Sequence, residues 1–262
     1  MGWFTDFFSD PLGTIGEVFQ TVIDVTVDAI GEVVTWFVDI PDAADLEEKY
    51  KGILANVQSN IASIPVIYGQ RKVGGNRVFV ATSGTDNNYL YMVMALCEGE
   101  IHSIGDVYIN DKLSTDAQFS GLLSISKYTG TDTQTANNMF RSAGIGWTSA
   151  HRLRGVAYLA IRFKWDQDAF GGIPTVHAVV QGRKVYDPRT SATATVANSS
   201  NPALCLRDYL TNARYGKSLA TDFIDDTLFI AAANKCDALV ASYPGSANQK
   251  IFEANAVIDT SK

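Results

Sequence analysis

The chain has 262 residues, 46% of them hydrophobic, enough for one large domain or two ordinary ones with real cores. Its net charge of -7 is unevenly placed: residues 1–48 hold eleven acids and no Lys or Arg, which leaves 17 acids against 21 bases in residues 49–262. Three widely spaced cysteines, Cys97, Cys205 and Cys236, with no CxxC pair, argue against a disulfide framework or a zinc site and point to buried thiols in a chain assembled in a reducing cytoplasm.

Residues 12–40 carry helical order. Turning about 100° per residue gathers Glu17, Asp24, Asp28, Glu32 and Asp39 into one polar stripe. Ile15, Phe19, Val22, Ile30, Val33 and Phe37 lie opposite, and Val18, Val25 and Trp36 widen that face. An arc this broad needs covering, by a partner or further copies, by a lipid interface, or by the body of the chain. The stripe is acidic, which disfavours an anionic bilayer. An acid every four to seven residues excludes a transmembrane helix, and the missing basic n-region excludes a secretory signal. The six named residues are therefore candidates for partner packing, and 1–40 is an apolar-acidic helical arm.

Pro41 ends the arm, and 41–60 reads as a short linker helix. From Ile64 the texture becomes β: "IPVIYG" and "RVFVATSG" are strands, with "GQRKVGGN" as the turn between them. "YLYMVMALCEGEIHSIGDVYIND" continues as strand, turn at Glu98-Gly99-Glu100, strand, and a second turn at Asn110-Asp111. Residues 112–150 are polar and weakly patterned, an insertion with one short helix near Asn137–Arg141. Residues 154–190 read as a hairpin, one strand starting at Val156 and its partner at Val176–Val180, closed by Tyr186-Asp187-Pro188. Gly171, Gly172 and Pro174 are its turn-setting residues. Then "NPALCLRDYLTNARYG" is a helix with Asn201 as N-cap, Pro202 at the first position and Gly216 as its stop. A second helix follows in "ATDFIDDTLFIAAANKCDALV", and "KIFEANAVIDTSK" is a strand that begins a further unit. The fold class is α+β, mainly β: helical arm, β-rich domain over 61–190, and the start of a second α+β domain over 201–262.

Chemistry is hard to find. His102, His151 and His177 are scattered, none at i,i+4 spacing or near a cysteine, so no metal site is nominated. There is no GxSxG, no Walker sequence and no Cys with a general base, so no catalytic residue and no cofactor is nominated either. Asp166 and Asp168 beside the glycines read as solvated turn formers.

Five blocks in order, 64–75, 89–111, 155–190, 201–216 and 251–262, together resemble the central tail hub, or tail-tip host-specificity protein, of lambda-like long-tailed bacteriophages. The most specific is Asn-Pro-Ala…Arg-Asp-Tyr-Leu…Arg-Tyr-Gly after the Tyr-Asp-Pro-Arg stop. The resemblance covers about residues 60–262 and implies a structural virion protein, not an enzyme. It implies a homotrimer with β-barrel-like hub domains that closes the distal end of the tail, docks the distal tail protein, the tape-measure protein and tail-fibre proteins, and gates DNA release on host attachment. DNA would pass without sequence recognition. Arg183, Lys184 and Arg189 are then candidate polar contacts to a neighbouring subunit, and the location is the virion tail tip, after assembly in the host cytoplasm. The alternative is a membrane-active tail-tip protein whose arm contacts the host membrane during ejection.

Overall fold

The apolar run at 89–98 forms β4 (Tyr89–Glu98), buried along both faces because a different layer covers each. It lies between β3 (Asn76–Ser83) and β8 (Val156–Lys164) in a four-stranded antiparallel sheet, with β7 (Leu123–Thr129) beyond β8. Met92, Met94 and Leu96 enter the main core beside Leu159, Ile161 and Phe163. Tyr91 and Val93 point the other way, into a second cluster with Tyr158 and Ala160. This is the period of two of a pleated strand. The computed structural model describes residues 63–190, 196–240 and 248–260, all within the unit Gly52–Lys262. The arm with Ile15, Phe19, Val22, Ile30, Val33 and Phe37, and the linker helix 41–60, lie outside the described residues.

A second sheet supplies the other half of the main core. Its long strand β9 (Val176–Tyr186) pairs with β5 (Ile101–Ile109), with β2 (Gln70–Val73) along Ala178–Gln181, and with β10 (Val196–Asn198) along Lys184–Tyr186. A short strand, β6 (Lys112–Leu113), extends it beyond β5. Ile101, Val107, Ile109, Val176, Ala178 and Val180 face Met92, Met94 and their neighbours. Burial of each large apolar side chain contributes about 1.5–3 kcal/mol, so the two sheets are held face to face mainly by this layer.

This topology corrects the expected hairpin. β8 and β9 are consecutive but sit in different sheets, and β4 and β5 are divided in the same way. Consecutive strands usually pair. Here each carries an apolar face, and sending successive strands to opposite sheets turns those faces toward one another. The chain crosses at Gly99 (φ 83) and through residues 165–175. The turn at Asn110-Asp111 is as expected: both residues have positive φ (48 and 64) and join β5 to β6.

Two further expectations change. Part of "GQRKVGGN" is strand β2 and not turn, because β9 offers it a full set of cross-strand partners. Within 112–150 the short helix is present as α1 (Asn138–Ser142), capped by the Asn137 side chain, which accepts from the Phe140 N–H. The segment is nevertheless an integral layer: it contributes β7, and it lays Phe140 and Trp147 on the outer face of the first sheet.

The described residues of 201–262 close back onto the same unit. β13 (Ala256–Ile258) pairs antiparallel with β1 (Val66–Tyr68) in a two-stranded sheet of their own. The helices α2 (Pro202–Thr211) and α3 (Asp226–Asp237) bury Ala203, Leu204 and Ala233 against Val66, Tyr68 and Val185. A two-stranded ribbon, β11 (Leu239–Val240) with β12 (Gln249–Lys250), follows α3. Asn201 caps α2 as expected, but the helix stops at Asn212, whose backbone is extended, four residues before Gly216. Gly216 serves a close approach instead: a Cβ there would stand 1.8 Å from the Tyr209 carbonyl oxygen.

Candidate functional site

The end of the molecule where β1, β9 and α2 meet is built around one carboxylate. Asp208 projects from α2 and is 12% exposed. The Tyr68 hydroxyl of β1 donates to its Oδ2 at 2.5 Å, the Tyr215 hydroxyl donates to the same oxygen, and Nε of Arg183 on β9 approaches it at 3.3 Å. The Arg183 guanidinium also lies 5.1 Å from the centre of the Tyr215 ring. Burial, then the Asp208 charge, push both tyrosine hydroxyls far above their ordinary range, so both remain donors. Burial works against the Arg183 cation, but Asp208 together with Tyr215 and Tyr68 outweighs it and raises its pKa. One residue earlier in α2, Arg207 forks onto Asp226 at the start of α3 (2.7 and 3.0 Å) and lies 4.3 Å over the Tyr186 ring.

A second node follows where β9 stops. Arg189 donates to Asp187 at 2.7 Å and to Asp237 at 2.8 Å, and Lys250 reaches Asp237 at 2.7 Å. The Arg189 hydrogen bond holds the Asp187 carboxyl below its usual range. At Asp237 burial pushes upward, and hydrogen bonds from Lys250, Arg189 and Asn201 outweigh it and lower the pKa. The node walls a polar cleft of about 780 Å³ lined also by Gln70, Arg71, Asn198, Ser200 and Glu253. Arg71 donates to the Asn255 carbonyl, and Ser200 donates to Glu253 with no histidine beside them.

The three histidines lie apart from both nodes, whereas Cys97 and Cys205 sit beside the Asp208 node and Cys236 directly precedes Asp237. His102 is exposed on β5, His151 bonds Thr148 through Nδ1, and Nδ1 of His177 is 3.3 Å from Asp111. Burial pushes the Cys97 and Cys205 thiols up to about 12, which leaves them protonated and inert. Among the described residues no group of three His, Cys, Asp or Glu is placed to hold a metal ion. What this end can do chemically is lock segments together.

The sequence nominations fare unevenly. Arg183, Lys184 and Arg189, named as contacts to a neighbouring subunit, all bond within the chain: to Asp208, to Glu100, and to Asp187 with Asp237. All three are largely covered, at 19, 29 and 24% side-chain exposure, beside carboxylates of their own chain. Gly171 and Gly172 set no hairpin. Neither has a positive φ, and a Cβ on either would meet nothing within 4 Å. Pro174 is buried and leads into Thr175, whose N–H and hydroxyl both donate to the Asn110 side chain. The residue missed is Asp208, although it, Tyr68, Arg183 and Tyr215 all fall in the blocks that carry the resemblance.

No family model matches the chain. The baseplate hub protein pb3 of Escherichia phage T5 is 26% identical over 273 residues, covering 76% of this chain, and this chain spans 29% of that relative's length. A solved structure described as the virion of a native gene transfer agent particle aligns with a TM-score of 0.38 at 22% identity, covering 48% of this chain and 28% of its own. The chain is thus similar in sequence, over about three quarters of its length, to a phage baseplate hub protein.

Proposed function

We propose that the chain is a structural component of a phage virion, a tail hub that closes the distal end of the tail as a homotrimer. In this reading it docks the distal tail protein, the tape-measure protein and fibres, and holds the channel shut until host attachment releases DNA. The observation that carries the reading is the alignment with the T5 baseplate hub protein over 76% of this chain. Physical support comes from the two polar nodes, in which charged side chains fasten strands and helices together. A docking ring needs surfaces held in fixed register, and partly buried ionic ties of this kind serve that need. The arm over 12–40 belongs to the same reading as a packing element near the tail axis. The reading places the chain at the tail tip, after assembly in the host cytoplasm.

Antibody labelling of purified particles, with three-fold averaging of the tail end, tests this. Label confined to the tail tip over three-fold density is expected. Label on the capsid, or particles lacking the protein altogether, would contradict it.

A further inference from the structure

The two ends of β8 carry opposite charge. At the Lys164 end the loop 165–175 crosses between the sheets and presents two large apolar side chains, Trp165 at 54% and Ile173 at 61% exposure. Phe170 pins this loop, buried between Phe119 and Phe163 with ring centroids 5.7 Å away in both cases. The connections that meet there are acidic: Asp86 precedes β4, Asp111 turns into β6, Asp116 caps the short turn that holds Phe119, and Asp166 and Asp168 lie on the loop itself. Lys112 and Lys164 are the bases on these connections, and Lys72 of β2 and His177 of β9 stand 3.8 and 3.3 Å from Asp111, which leaves Asp86, Asp116, Asp166 and Asp168 against the two connecting lysines.

At the other end, nine residues or about 30 Å away along β8, the carboxylates of the Glu98-Gly99-Glu100 corner are taken up by Arg214 and Lys184, Asp132 is exposed, and the segment leading into β8 carries only bases. Residues 133–165 contain no Asp or Glu, and Arg141, Arg152 and Arg154 are exposed. Gln134 fastens this lobe by donating to the carbonyls of Arg152, Leu153 and Val156. Leu153 adopts a left-handed backbone (φ 45) and packs inward, leaving the two arginines on either side of it in solvent. A bulky residue holds φ > 0 only when its surroundings demand it.

We infer that the acidic, Trp165-bearing loop end of one copy docks on the arginine lobe of a second copy of this chain. An exposed aromatic on a pinned loop forms a small-entropy-cost anchor, and the carboxylates around it select a basic surface. The complementary surface is on the same molecule, at the opposite end, so the contact is head to tail, and such contacts close into a ring when the rotation between copies allows. The acids disfavour DNA and anionic lipid as occupants. Gly171 and Gly172 acquire a purpose here: with no side chain and with open space around them, they let the second copy approach the loop backbone between Trp165 and Ile173. The inference deepens the proposed homotrimer and takes from it only the number of copies.

Sedimentation velocity of the purified full chain tests the contact. Wild type associates at low salt and less so at high salt. Asp166→Arg with Asp168→Arg, or Arg152→Glu with Arg154→Glu, weakens association by about tenfold or more, as does Gly171→Val with Gly172→Val, with circular dichroism unchanged. The variant carrying both charge swaps regains association, which a merely misfolded protein would not do. If wild type forms trimers and the single swaps form them equally well, the contact is wrong and the hub reading stands. If wild type stays monomeric in solution and in the particle, both fall.

Discussion

Arg183 occupies the space that a side chain on Gly99 would need: a Cβ built on Gly99 stands 1.5 Å from Nη1 of the guanidinium. Gly99 also has φ 83 and marks the corner where the chain leaves the first sheet for the second. Corner and ion pair are thus one device. Gly99→Ala imposes left-handed strain of about 1–2 kcal/mol and displaces Arg183 from Asp208. Because Asp208 also receives two hydroxyls, Asp208→Ala removes the acceptor for three donors at once, and its expected cost is about 3–5 kcal/mol. Urea denaturation of both variants checks this; a loss below about 1 kcal/mol for Asp208→Ala would mean that the node is ornamental.

The same node predicts an alkaline limb of stability. Tyr68 and Tyr215 have pKa values raised above the ordinary 10.0 in the folded protein. A group whose folded pKa is raised stabilises the fold fully below its unfolded pKa and ceases to do so as pH climbs through the folded one. Stability therefore declines above pH 10, where the unfolded chain begins to release phenolic protons that the folded chain keeps. Thermal melts across that range should show a shallower decline in the Tyr68→Phe, Tyr215→Phe double variant. An identical slope would place the alkaline sensitivity elsewhere.

Much of the architecture is legible in the sequence, and the illegible part has a physical cause. The run from Tyr89 to Glu98 announces a strand by composition, and Asn201-Pro202 announces a helix start, because local chemistry decides both. Which strand pairs with which is not local. "GQRKVGG" has the residues of a turn, yet Gln70–Val73 becomes a strand once β9 lies beside it. β7 escaped because the face begun by Leu123 and Ile125 continues with Lys127, while Ser124 and Ser126 share the other face with Tyr128. The Asp208 node is the same case: its four residues are 140 positions apart at most in pairwise bonds, and no spacing rule links them.

Gly171 offers a test in which the structure and the sequence pattern disagree. A Gly-Gly-x-Pro break suggests a constrained turn, where any side chain is costly. Gly171 does not have a positive φ, and nothing lies within 4 Å of a Cβ built on it. Gly171→Ala should then leave stability within about 0.5 kcal/mol of wild type, or raise it by reducing the freedom of the unfolded chain. Chemical denaturation of the single variant decides it. A loss near 2 kcal/mol would restore the turn-setting role.

Gln134 is the residue on which the arginine lobe hangs. It is 8% exposed, and its amide is used from both ends: Oε1 accepts from the Gly130 N–H at 3.0 Å, while Nε2 donates to the Arg152 carbonyl at 2.9 Å, to that of Val156 at 3.2 Å, and to that of Leu153. Gln134→Leu fills the volume but leaves buried carbonyls and one N–H without partners, at an expected cost of about 1–3 kcal/mol for each group that water cannot reach. Gln134→Glu keeps the acceptor and loses the donor, so it should free the 148–155 return while sparing the Gly130 contact. Hydrogen exchange resolves the two effects. Protection should fall across 148–155 in both variants and remain at Gly130 only in the glutamate. Equal protection throughout would show that Leu153 and its packing, and not Gln134, hold the lobe in place.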